Sequence, residues 1–147
     1  MSGDQGGVRN RIVVHYKDGA LRKGYTHDFN PVRNTFHLIT DSGDDGDAVR
    51  EVNVAELVAV FFVKTLGGDR YYSEKKSFNE VDSSKLKGLK IKVTLRGGEV
   101  IRGVTLGYNR NKKGFFVVPV DPRSNNERIY VVSDAVSSVS LGDDAEE

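Results

Sequence analysis

The chain has 147 residues, no cysteine and a formal net charge of +1. The missing cysteine excludes disulfides, thiolate metal sites and cysteine nucleophiles, and the near-zero charge excludes a chain-wide polyanion-binding signature. No apolar run approaches the roughly 20 residues of a membrane span, and the first residues lack a signal peptide's apolar core, so a soluble cytoplasmic protein is expected.

Residues 1–8 are polar and Gly-rich and read as a mobile end. Over 11–17, Ile12, Val14 and Tyr16 alternate with polar residues, the period-two pattern of a half-buried strand. Lys17-Asp18-Gly19-Ala20 is a hairpin turn, because Asp-Gly supplies the positive φ that a tight turn needs. A second strand is predicted from Leu21 to Phe29 with Gly24 inside it, where a bend is expected. After the polar loop Asn30–Asn34, a third strand is predicted at Thr35–Ile39. An acidic turn covers 41–47, and strands follow at 49–53 and 57–63.

From residue 89 the pattern begins again. A gapless shift of 79 positions pairs Ile12 with Ile91, Val14 with Val93, Gly19 with Gly98 and Gly24 with Gly103. It also pairs Thr26 with Thr105, Asn30 with Asn109 and Phe36 with Phe115. These are seven identities in the 28 pairs from 12 to 39, where average residue usage gives roughly two by chance. The second copy therefore predicts strands at 90–95, 100–108, 114–119, 128–132 and 136–141. Two copies of a five-stranded unit with regular turns predict an all-β chain of two tandem small barrels. The expected division is a first barrel at 9–63, an ordered linker at 64–88, a second barrel at 89–141 and an acidic tail at 142–147. Tyr71, Tyr72 and Phe78 argue that the linker packs on the barrels.

The copies differ at informative places. Ala59 and Phe61 lie off the core face assigned to Val58, Val60 and Phe62, and the second copy has Ser138 and Ser140 there. An apolar outer stripe marks an interface, covered by the other barrel, by the linker or by a partner molecule. Phe116 stands where the first copy has His37, and Gly107 where it has Asp28. Residues 89–141 carry 9 basic and 4 acidic side chains, against 7 and 9 in residues 1–63, so the second unit is the basic one.

The strand, Asp18-Gly19 turn, Gly24 strand, Asp28-Phe29-Asn30 loop and Phe36-His37-Leu38 strand resemble the Sm-like members of the small five-stranded, Src-homology-3-like barrels. That resemblance implies two tandem Sm-like barrels. Sm proteins bind RNA through an Asp and Asn after strand two and an Arg-Gly pair after strand four. Asp28 and Asn30 stand near the first feature, but Asn53-Val54-Ala55-Glu56 follows the fourth strand, and the second copy has Gly107 and Val132-Ser133. The chain is also similar to a group of uncharacterised bacterial proteins, often described beside PilZ or response-regulator proteins. Those share the stretches matching Gly24–Pro31 and Asp121–Asn126. The Arg-rich motif and the Asp/Asn-x-Ser-x-x-Gly motif by which PilZ domains take cyclic dinucleotides are not both present.

Nothing in the residues assembles a catalytic site: there is no nucleophile elbow, phosphate loop or apolar carboxylate pair. His15, His27 and His37 lack metal-ligand spacing, and 41–47 lacks the calcium-loop pattern. No enzyme, cofactor or metal is expected. The expected function is a non-enzymatic binding or adaptor module for a protein partner. Its candidate surface is Phe61 with Arg123, Ser124, Asn125, Asn126 and Arg128 on the long loop from Asp121. The alternative is single-stranded RNA or DNA bound by the second barrel through Arg102, Tyr108, Arg110, Lys112 and Lys113, since basic grooves with stacking aromatics hold single strands.

Overall fold

A computed structural model describes residues 9–41, 47–68, 71–82, 84 and 86–147. The readings of residues 1–8 and of the acidic turn at 42–46 lie outside the described residues. The first copy forms β1 (Asn10–Tyr16), β2 (Leu21–Thr26), β3 (Thr35–Asp41), β4 (Asp47–Asn53) and β5 (Leu57–Val63). The second forms β6 (Leu89–Leu95), β7 (Val100–Thr105), β8 (Gly114–Pro119), β9 (Asn126–Val132) and β10 (Val136–Leu141). Short 3-10 turns at Val54–Glu56 and Ser133–Ala135 also obey the 79-residue shift. Among the described residues no helix is long and apolar enough to cross a membrane.

The fold is all-β, but the strands are hydrogen-bonded into one open ten-stranded sheet rather than closed into two separate barrels. The order is β10-β6-β7-β8-β9-β5-β1-β2-β3-β4, antiparallel throughout. Each copy contributes the same local order, fifth strand, first, second, third, fourth. The join is β5 against β9, with Val60 opposite Tyr130 and Phe61 opposite Ile129.

The hairpin turns are as their glycines predict: Gly19 and Gly98 adopt φ of 94° and 96°. Gly24 and Gly103 are required by close approach, because a Cβ there would collide with the Ile39 and Val118 carbonyls. At that point β2 pairs with β3 only at Tyr25–Ile39, and β7 with β8 only at two positions, so the sheet is loosely stitched where it turns. β2 and β7 end at Thr26 and Thr105, three residues short of the predicted ends. Different side-chain bonds follow the two ends: Thr26 Oγ1 donates to Asp28, which accepts the His37 backbone N–H at 2.9 Å, whereas Thr105 Oγ1 donates to the Phe116 carbonyl at 2.8 Å.

Two cores flank the join, and the seam strands feed both. Leu57, Val60 and Phe62 of β5 pack in the first core with Ile12, Phe36 and Leu38, joined by Tyr130 and Val132 of β9. Ala59, Phe61 and Val63 pack in the second core with Ile91, Val93 and Val117, joined by Ile129 and Val131. A bulge opposite His15 and Tyr16 skips Val58 and turns it toward the second core, so Val58 does not share the face of Val60 and Phe62. Phe116 also crosses the seam: its ring centroid lies 5.2 Å from that of Tyr130 and 6.0 Å from that of Phe62.

The described residues between 64 and 88 are bonded mainly to the second copy, with Lys23 Nζ of the first donating to the Leu66 carbonyl at 3.0 Å. Lys64 N donates to the Asn125 carbonyl, and the Asn125 side chain is bonded to both the Thr65 N–H and the Thr65 carbonyl. Asp121, 3% exposed, accepts from the Tyr72 hydroxyl at 2.5 Å and from the Lys75 and Arg123 backbone N–H groups. Further on, Phe78 is buried with Val120 and with Ala145 of the acidic tail, forming a third, minor core.

Candidate functional site

Within the expected partner surface Phe61 and Ser124 are buried, Asn125, Asn126 and Arg128 are half-buried and Arg123 is exposed. Phe61 is 7% exposed, covered by the second core, and its ring stacks on His15 at 4.1 Å. Burial lowers the pKa of His15. Arg123 lies over the Tyr72 ring at 4.5 Å and Arg128 over Phe62 at 4.2 Å. Ser124 is buried, its Oγ accepting from Asn126 N, and Asn125 is committed to Thr65. This loop is longer and more polar than a tight turn requires because it must satisfy a linker's backbone groups.

The nucleic-acid set divides. Arg110, Lys112 and Lys113 share the exposed loop between β7 and β8. Arg102 instead sits on β7 and lines a small separate cleft with Lys75 and Lys76. Tyr108 packs edge-on against Phe115 at 4.8 Å and lies half-buried at the second core's rim. His37 pairs with Asp28, Nδ1 to Oδ2 at 2.7 Å. Burial pushes the Asp28 carboxyl up, but hydrogen bonds from His37 and Thr26 outweigh it and hold the pKa below the usual value. The same bond raises the pKa of His37. Among the described residues no group of three or more His, Asp or Glu side chains is placed to hold a metal ion.

What the geometry does assemble is a cleft of about 750 Å³ beside the basic loop. One wall is Pro31 and Val32, from the β2–β3 loop of the first copy. The other is Leu106 and Val118 of the second, and the floor reaches Phe116 and Tyr130. Leu106 is 91% exposed and Val32 78%, large apolar side chains held in water. Lys87, Lys112 and Lys113 stand at the rim, and among the described residues no carboxylate lines the cleft. Gly114 allows the Tyr130 ring to lie where a Cβ would otherwise stand.

The repeat explains the apolar character of the cleft's second wall. Leu106, Gly107 and Phe116 replace His27, Asp28 and His37, so the second copy has an open apolar position where the first has a polar ion pair. Val32, Leu106, Val118 and Lys87 were not singled out by sequence reasoning. The substitutions between copies were the available signal, since an aliphatic residue in place of a loop histidine has no packing reason of its own.

These strands and clefts define an all-β protein in which two copies of one unit share a sheet and leave a basic, apolar-walled cleft at their junction. The model of a family of unknown function, DUF6982, matches residues 8–142, and the chain belongs to that family. Neither a curated protein nor a solved structure matches it.

Proposed function

We propose that the chain is a non-enzymatic binding module that takes up an acidic segment of a partner protein bearing aliphatic side chains. The observation that carries this is the cleft of Val32, Leu106 and Val118 ringed by three lysines. Burying an aliphatic side chain contributes about 1.5–3 kcal/mol, so two or three anchors are enough to offset part of the cost of association. The lysines select negative charge and steer encounter rather than supplying most of the affinity. Each half is read as a Sm-like unit, supported by the repeated strand order and by the close-approach glycine in both second strands.

Single-stranded nucleic acid is the rival for the same lysines, and it is less favoured here because Tyr130 is buried and Tyr108 is half-buried against Phe115. Fluorescence anisotropy separates the two. The probes are a labelled peptide of alternating leucine and glutamate and a labelled mixed-sequence oligonucleotide, each at about 50 and about 200 mM salt. The peptide is expected to bind, with binding lost in Leu106→Asp. Oligonucleotide binding with a steep salt slope and no peptide binding would overturn the reading.

A further inference from the structure

The loop from Arg110 to Lys113 has a second side. There it closes a cleft of about 720 Å³ whose walls are matching pieces of the two copies. Asn34 and Lys113 are 79 positions apart, as are Val54 and Ser133. Val54 N donates to the Asn34 carbonyl at 2.9 Å, and Ser133 N to the Lys113 carbonyl at 2.8 Å. Lys113 Nζ reaches across to the Asn34 side chain and ties the two loops together.

Three features of this cleft point to an anion. Among the described residues Arg110 and Lys112 have no side-chain partner, so two positive charges stand uncompensated at its edge. Ser133 Oγ is buried and unbonded, a donor without an acceptor. The acid in the lining, Asp134, is occupied by Lys17 at 3.0 Å. Asn34, Asn53 and Asn111 add amide groups that can donate. A buried hydroxyl left without a partner is costly unless an acceptor arrives.

We propose that this cleft binds a phosphoryl group, a phosphoserine or phosphothreonine carried on the partner segment. It rests on the peptide reading above, because the two clefts share Asn111, Lys112 and Lys113 and a single segment can cross the loop between them. A phosphomonoester brings nearly two negative charges and three strong acceptor oxygens near neutral pH. That matches unpaired cations beside an unpaired hydroxyl, and bonds to such charged acceptors are the strong ones.

The test is an amide-resolved NMR titration of the full chain with four probes: the leucine–glutamate peptide, the same peptide with one phosphoserine, inorganic phosphate, and the mixed-sequence oligonucleotide. The phosphopeptide is expected to bind at least tenfold more tightly than its parent, shifting the amides of Arg110 and Ser133. Arg110→Gln, which touches only the second cleft, is expected to remove that gain and leave the parent peptide's affinity unchanged. Equal affinity of the two peptides overturns the proposal. If the parent peptide fails to bind but inorganic phosphate shifts Arg110 and Ser133, the anion site stands and the peptide reading falls. If an oligonucleotide shifts those amides and the phosphopeptide does not, the proposal falls.

Discussion

At residue scale the two copies teach most where they disagree. Position 28 is an aspartate that accepts from the His37 ring and from its backbone N–H; 79 residues on, Gly107 has no side chain to accept, and the Thr105 hydroxyl donates to the Phe116 carbonyl at 2.8 Å instead. The glycines common to both copies were legible as turn and strand chemistry, since Asp-Gly and an interior strand glycine have few physical uses. The use of Asp28 was not, because a loop aspartate beside a histidine reads the same whether it is paired or solvated. The pair carries a pH signature. The raised pKa of His37 means that its contribution is complete below the ordinary value of 6.5 and is lost as pH rises through the folded value. The lowered pKa of Asp28 means that its contribution is present above the ordinary 3.8 and is lost as pH falls through the folded value. Both groups are largely exposed, so the effect on stability is small. The imidazole resonance of His37 should titrate above 6.5 in the native chain and move down in Asp28→Asn, which keeps the acceptor for the backbone N–H. An unchanged midpoint in that variant would show that Asp28 is not the cause.

At element scale all ten strands were readable from alternation and turn residues, and the third to fifth strands of each copy follow the shift of 79 without a gap. The long loop from Asp121 was readable as a loop but not for its role. A sequence of Asp, Ser and Asn offers acceptors without saying which chain supplies the donors. Here the linker supplies them, and Asp121 is the hub, burial pushing its pKa up while bonds from Lys75, Tyr72 and Arg123 bring it below the usual range. Asp121→Ala would strand the Tyr72 hydroxyl and two backbone N–H groups, at a cost of about 1–3 kcal/mol. Hydrogen exchange should accelerate at 72–76 in that variant, with β1 and β5 keeping the slowest amides. Uniform acceleration across the chain would place Asp121 in the global core instead of in a local clamp.

At the scale of the whole molecule the decisive residues are those of β5. Leu57–Val63 is an unbroken apolar run, the pattern of a strand buried on both faces. That much was visible in the sequence. Which face met which core was not, because a bulge at Val58 changes the alternation and no local pattern announces it. With Phe61 inside the second core and Tyr130 inside the first, neither half has a complete interior alone. One calorimetric transition is therefore expected, with equal calorimetric and van't Hoff enthalpies. Phe61→Ser should lower it as a unit, since deleting a buried phenylalanine ring costs about 3–5 kcal/mol, a shift of roughly 10 °C at this chain length. Two separate transitions in either protein would show that the halves fold independently.

The shared seam also sets a schedule for synthesis. When Val63 leaves the ribosome, the first unit has every strand of its own, yet Phe62 lacks Phe116 and Arg128, and Val60 still lacks Tyr130. At about 5–20 residues per second the missing strand arrives several seconds later. Throughout that interval Ala59, Phe61 and Val63 face solvent along an unpaired strand edge. On a crowded polysome the nearest matching edge belongs to another nascent copy, so the fidelity of assembly depends on the second half of the same chain arriving before a neighbour's does.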